Sequence, residues 1–497
     1  MIPIAQPKGF ADTSRSRLTM AFIAGWIAVT LTLAGAFGLG TEHRADSLLM
    51  HLAQVSVCYA ICSGLTFLGC FVALRKSWSD ALGYILIAAM TVAGIGMAVN
   101  LSGYCSFPGT WEMPAFGTAS DFTLEWQRIV FHKATGQYLP GTNVGYTAIA
   151  SFAVGRFGPG VSGLLILNIM MLCGTVALSS GIAVTLLEGN RRRIAVCAAA
   201  ATAAVASVIW YATTPLKETG ATFSFTLFAF AIAKLYKGRL DVAGILAAAA
   251  GGFLLMMVKS PLGWFAIAGI VIAATRIEMR KKADATRRLY AAIYLSLIAG
   301  AVVVGGNRFR YCSDAALIGA VEPQRESLEF YMAGYETVQR YNTLIPGYFT
   351  STPEKRIAKL PLAAAAQYFP PFPWNFTRDT DEGRFVWYAH LSVFWYLVGG
   401  AAIGYLALCL WRRRARGSLG RWALWWVICY LGVAYFSGGT VARYYLPFIP
   451  ALIPLSLQFV MAARRHLVPK REVAIYCTVY AVALAGALAA AYIFLKG

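Results

Sequence analysis

The sequence predicts an all-α polytopic membrane protein: about thirteen transmembrane helices, with two long extracytoplasmic loops forming a small cap, on three grounds. Of its 497 residues, 58% are hydrophobic and 13% charged, with a mean hydropathy of +0.60, far more apolar than a water-soluble core requires. Apolar stretches recur at roughly the 20-residue length that a helix rising about 1.5 Å per residue needs to cross hydrocarbon. Finally, clusters of Lys and Arg alternate with those stretches so that every cluster falls on one side.

The candidate spans are 20–40, 48–74, 80–101, 160–187, 194–213, 219–236, 240–258, 261–275, 289–305, 386–410, 422–437, 444–462 and 472–495. Each must satisfy its own backbone hydrogen bonds, because lipid offers no partners. Residues 142–157 leave two readings open, a short interfacial helix or a further span. The first apolar run is of full span length and lacks a small-residue cleavage site, so it reads as an anchor and not a signal peptide.

Lys and Arg resist translocation and set the orientation. With Lys8, Arg15 and Arg17 on the cytoplasmic side, the same side receives Arg75 and Lys76, Arg191 to Arg193, Lys234 to Arg239, Arg276 to Arg288, Arg412 to Arg421 and Arg464 to Arg471. This puts the protein in an inner (cytoplasmic) membrane, with a cytoplasmic N-terminus and an extracytoplasmic C-terminus. The net charge of +21 reads as topology plus attraction to anionic headgroups of the membrane lipids. No basic-aromatic module is visible, so a nucleic-acid partner is not expected.

Four regions follow: 1–79, a tail and an N-terminal hairpin of spans; 80–305, a transmembrane core with a first outer loop at 102–159; 306–385, a second outer loop; and 386–497, the C-terminal helices. Loops this long usually carry function, and these are rich in aromatic residues and Pro. Most of the ten cysteines fall in or near spans, where a thiol is a small apolar residue. Cys105 and Cys312 instead sit at outer span ends, where an oxidising compartment permits a disulfide between them.

The stretch "SDFTLEWQRIVFHKATGQ", residues 120–137, reads as a helix capped by Ser120. Its spacing puts Asp121, Glu125 and Arg128 on one face and leaves Phe122, Trp126, Ile129 and Val130 for the membrane surface. Other charges expected near the outer surface are Lys217 and Glu218 in "TTPLKETG", Lys259 in "MMVKSPLGW", Arg308, Arg310, and Arg443 in "GGTVARYYLPFIP". A charge at a span end must reach water or meet a partner. Cations beneath an amphipathic cap suit a phosphate headgroup whose lipid tail stays in the bilayer, and the carboxylates supply a base.

These residues resemble the GT-C superfamily of membrane glycosyltransferases that use polyprenyl-phosphate-linked sugars, in particular its aminoarabinose transferase and protein mannosyltransferase groups. The likeness rests on Asp121 with Gly136 about fifteen positions on, followed by "GYTAIASFAVGRFGPGVSGLLILNIMM"; on the Pro-x-Lys-acid opening in "TTPLKETG"; on "YFPPFPWNF" at 368–376; and on "ARYYLPFIPAL" at 442–452. Many relatives pair two acidic residues at the first-loop site, whereas here Asp121 precedes Phe122, which passes the second role to Glu125. The hairpin at 20–74 also precedes the family core.

The resemblance implies an inverting transfer from a polyprenyl-phosphate sugar to an acceptor hydroxyl on a glycan, lipid or protein. A phosphate leaves readily, so the protein stabilises departing negative charge and deprotonates the acceptor. Asp121 is then the base and Glu125 its substitute. Lys217, Lys259, Arg308, Arg310 and Arg443 contact phosphate, Arg where a forked donor is useful. Glu218 orients Lys217 or holds an acceptor hydroxyl, and Trp374, Tyr444 and Tyr445 stack on sugar or pack on the prenyl chain.

No cofactor is required, and the scattered His and Cys make no zinc motif. A divalent cation at Asp121 is compatible with the resemblance, since some relatives use one and others do not. Three rivals are a cell-envelope polysaccharide polymerase or ligase with a lipid-pyrophosphate donor; a flippase or transporter, although the mid-membrane charges and internal repeat of a transporter are not evident; and a structural scaffold, which would not explain acidic and basic residues collected at the outer ends of several spans. The topology predicts that cysteines introduced at position 121 and within 412–416 react with a membrane-impermeant maleimide from opposite sides of intact vesicles.

Overall fold

The computed structural model describes residues 121–138, 143–154, 156, 160–203, 205, 212, 217–238, 241–275, 292–304, 345, 348, 351–368, 386–411, 417–438 and 445–496. Among the described residues there is no strand and the regular elements are helical. The spans expected at 20–40, 48–74 and 80–101 lie outside them, as does most of 306–385.

Two short helices come first, α1 (Asp121–Thr135) and α2 (Val144–Ala153). Past the end of α1, Gly136 takes φ +72, the left-handed conformation that Gly adopts without a Cβ penalty, and its N–H closes on the His132 carbonyl. The pair is stapled where Lys133 Nζ donates to the Val154 carbonyl at 2.7 Å and Ser151 Oγ to that of Ile129 at 3.2 Å. At 10 residues, α2 rises only about 15 Å, half the hydrocarbon thickness. Of the two readings of 142–157, the short helix is therefore the one the fold adopts.

The longer helices are α3 (Gly160–Leu186), α4 (Arg191–Ala203), α5 (Glu218–Tyr236), α6 (Val242–Lys259), α7 (Leu262–Thr275) and α8 (Ala292–Val304). After the short α9 (Pro353–Ala358) and α10 (Leu360–Tyr368) come α11 (Val386–Trp411), α12 (Ser418–Ser437), α13 (Ile449–Arg464) and α14 (Lys470–Lys496). Among the described residues six stretches are long and apolar enough to cross a membrane, in α3, α5, α6, α12, α13 with its preceding turn, and α14. α7 covers the stretch expected as a span at 261–275 almost end to end, with 14 described residues that rise about 21 Å.

α5 is the centre of the bundle, buried almost all round and packed on α3, α6 and α7. α5 and α6 run antiparallel, which the charges at both ends record. At one end Glu218, the first residue of α5, faces Lys259, the last of α6. At the other, Asp241 caps α6 by accepting the Gly244 N–H at 2.9 Å and receives the Lys234 ammonium at 2.5 and 2.6 Å. That end also holds Lys237 3.8 Å from Glu188, and Arg421 donating to the Tyr236 carbonyl at 3.2 Å.

α12 is fastened by the tryptophans of "RWALWW". A buried indole N–H needs an acceptor, and Trp422 donates to the Ala451 carbonyl at 2.7 Å, Trp425 to that of Phe265 at 2.7 Å, and Trp426 to that of Phe448 at 3.2 Å. Gly269 lets α7 approach, since a Cβ there would lie 2.8 Å from the Trp425 ring.

Residues 360–368, expected within a loop, form a helix packed on the last turns of α12. Tyr430 donates to the Ala364 carbonyl at 2.8 Å, Ser437 Oγ to Gln367 Oε1 at 3.2 Å, and the Tyr368 and Tyr480 hydroxyls meet at 2.5 Å. The alanines of "LPLAAAAQY" are the reason: a slim face packs closely on a neighbouring helix.

α2 joins the bundle through Asn143 and Gly145. Asn143 caps α2 by accepting the Tyr146 N–H at 2.9 Å, and its amide donates to the Val258 carbonyl at 2.6 Å. A Cβ on Gly145 would lie 2.2 Å from the Met257 carbonyl oxygen, which is backbone and cannot turn aside. Gly145→Ala is therefore expected to destabilise the protein by about 1–3 kcal/mol through overpacking, read as a lower thermal midpoint in detergent.

Candidate functional site

Ionised side chains gather where α1, α2, the start of α5 and the end of α6 meet. Glu125, on the second turn of α1, is 5% exposed. Its Oε1 accepts from Lys217 Nζ at 3.2 Å and lies 3.5 Å from Arg128 Nη1, one turn on. Lys217 is the residue before α5 and Glu218 the first within it. Glu218 is 2% exposed, with Oε1 4.0 Å from Lys259 Nζ.

Two physical effects hold this set in place. A carboxylate at the start of α5 and an ammonium at the end of α6 each complement the helix dipole. Removing an ion from water costs several kcal/mol, so buried charges persist in pairs. Burial pushes the Lys217 ammonium downward, but Glu125 and then Glu218 outweigh it, and the group ends above its ordinary range. Because the folded value is the higher one, its contribution to stability holds below pH 10.5 and is lost only as pH rises through the raised value. Arg128, Lys217 and Lys259 thus oppose Glu125 and Glu218, leaving one net positive charge among these five residues.

Tyr146, on α2, completes the junction. Its phenol is pushed well above the usual range by burial first and then by the Glu125 and Glu218 carboxylates. Among the described residues its hydroxyl has no hydrogen-bond partner, and neither do Glu125 Oε2, Arg128 Nε, Thr147 Oγ1 and Thr219 Oγ1. Five buried polar atoms from α1, α2 and the start of α5 therefore carry unsatisfied hydrogen-bonding capacity.

The structure brings Glu125, Lys217, Glu218 and Lys259 together as the sequence expects, with a changed pairing. Lys217 meets Glu125, 92 residues away, and its neighbour Glu218 meets Lys259. Asp121 is the first residue of α1, four before Glu125; its side chain lies outside the description. Arg308, Arg310, Trp374, Arg443, Tyr444, Cys105 and Cys312 also lie outside the described residues.

Tyr445 corrects an expectation: it is 1% exposed and stacks on Trp395 with centroids 5.0 Å apart, so its ring is committed to the core instead of facing a sugar. Ile129 is a second correction, fully buried, while Val130 is exposed. The surface stripe of α1 is narrower than the spacing implied because α2 covers one side. Tyr146, Thr147 and Thr219 were not singled out by sequence reasoning, since Tyr146 and Thr147 sit uncharged in the apolar "VGYTAIASFA" and Thr219 stands beside the charged Lys217 and Glu218 that drew the attention.

Among the described residues no three His, Cys, Asp or Glu side chains are grouped to hold a metal ion. No family model, no curated protein and no solved structure matches the chain.

Removing one partner of a buried pair strands the other charge. Lys217→Ala is expected to cost about 2–4 kcal/mol, and Glu125→Gln in the same chain to restore part of it. A double-mutant cycle on thermal unfolding should return coupling between them, whereas additive effects would mean that the pair contributes nothing.

Proposed function

We propose that this chain is a membrane glycosyltransferase that moves a sugar from a polyprenyl-phosphate donor to an acceptor hydroxyl on the extracytoplasmic side, with inversion at the sugar carbon. The observation that carries this reading is the net-positive cluster in which buried Glu125, Arg128 and Glu218 meet half-buried Lys217 and Lys259, where α1 packs at the ends of two membrane-length helices. One excess positive charge at that level complements a lipid phosphate whose chain remains in hydrocarbon.

In this reading Lys217, Lys259, Arg308, Arg310 and Arg443 share the donor phosphate and take up its charge as the sugar departs. Asp121 removes the acceptor proton. Glu125, with Oε1 committed to Lys217 and Arg128, is better suited to holding those cations than to acting as the base. Glu218 holds Lys259 in the same manner. Trp374 and Tyr444 remain the aromatic candidates for the sugar, and a divalent cation at Asp121 is compatible with the chemistry.

Reconstitution tests this directly. Proteoliposomes supplied with a labelled polyprenyl-phosphate hexose and a glycolipid and glycan extract as acceptor should transfer label. Asp121→Asn should abolish transfer with folding intact, and Lys259→Ala or Arg443→Ala should raise the donor KM. Full activity in Asp121→Asn would remove that residue as the base. Label transferred only from a lipid-pyrophosphate oligosaccharide would replace this reading with the polymerase or ligase one.

A further inference from the structure

We infer that Tyr146 and Glu125 Oε2 form a subsite for one alcohol hydroxyl of a polyol ligand; as an acceptor-sugar subsite this rests on the transferase reading above. Tyr146 is 3% exposed and its hydroxyl has no partner among the described residues, and its helix is tied to α1 through Ser151 on the Ile129 carbonyl and to the end of α6 through Asn143 on the Val258 carbonyl, beside Lys259. Glu125 Oε2 and Arg128 Nε are likewise buried and open, while Glu125 Oε1 is occupied by Lys217. A buried donor and acceptor left open cost stability, and native interiors keep them where a guest or water completes the set.

The charges around this gap decide the class of guest. Against Glu125 Oε2 itself an added anion would meet that carboxylate and an added cation would meet Arg128, so the donor phosphate, assigned above to Lys217 and Lys259, is not the guest of this position. A neutral group that both donates and accepts meets neither difficulty. An alcohol hydroxyl does this: its proton goes to Glu125 Oε2, and its oxygen accepts from the Tyr146 hydroxyl and from Arg128 Nε. Lys217 and Arg128, drawing on Oε1, hold that carboxylate still. Thr147 and Thr219 bring two more open hydroxyls to the same junction, as a ligand with several hydroxyls would require.

Tyr146→Phe removes one oxygen and keeps the ring. In the reconstituted assay, at saturating polyprenyl-phosphate hexose, the variant should raise the apparent KM for the acceptor extract about tenfold, the equivalent of one hydrogen bond, and leave the donor KM unchanged. Its thermal midpoint without ligand should equal or exceed that of the parent, because the lost hydroxyl had no partner. An unchanged acceptor KM would assign the gap to water alone and overturn the inference. So would a midpoint several degrees lower, the mark of a broken internal hydrogen bond.

A second arm does not depend on turnover. Graded glucose should raise the thermal midpoint of the parent more than that of Tyr146→Phe, and equal responses would overturn the subsite. A parent that transfers no label yet shows this glucose difference would lose the transferase reading and keep the polyol subsite.

Discussion

A charged side chain in an apolar environment must find its counter-charge within the protein, and that constraint organises this bundle. α5 and α6 are membrane-length helices that carry an ionised group at each end, and their antiparallel packing brings opposite charges together at both. At one end the pairing is local and structural: Lys234 and Asp241 are seven residues apart, and the carboxylate also caps α6. At the other end the pairs draw in α1 and α2, which are too short to cross a membrane. That second end is where charge is gathered in excess of what the two helices need.

The same end is also where polar groups are left open. Elsewhere several buried tryptophan indoles and tyrosine hydroxyls take backbone carbonyls of neighbouring helices. The α1–α2–α5 junction departs from this: Glu125 Oε2, Arg128 Nε and the Tyr146, Thr147 and Thr219 hydroxyls lack partners among the described residues. Buried polar atoms without a partner cost stability, which makes this junction the candidate place for a bound group or ordered water. Close packing makes the arrangement rigid. Gly145 lies against the Met257 carbonyl, and the Asn143 amide ties α2 to the last turn of α6, so Tyr146 and Lys259 are positioned by one contact region.

Much of the fold was legible because hydrophobic length is a strong signal in a chain of this composition. The spans expected at 160–187, 219–236, 240–258 and 472–495 correspond within a few residues to α3, α5, α6 and α14. Helix 120–137 was legible from its spacing, and Glu125, Lys217, Glu218 and Lys259 from the rarity of charge at span ends. Less legible were the elements whose role depends on a neighbour. The 360–368 helix reads as loop because its alanines acquire meaning only against α12, and Tyr445 reads as a surface aromatic because nothing local reveals Trp395 above it.

By itself, then, the sequence determined that this is a helical membrane protein, where its long helices run, and which ionised residues are too costly to be incidental. Those properties follow from local composition and period. Which charge meets which, and which hydroxyl is left open, only the tertiary structure decided. Lys217 and Glu218 are adjacent in the chain yet turn to Glu125 and Lys259, because the start of a helix sends consecutive side chains about 100° apart, toward different neighbours. The burial of Tyr146 was decided in the same way: α2 packs on α6 at Gly145, and that contact encloses the next side chain along.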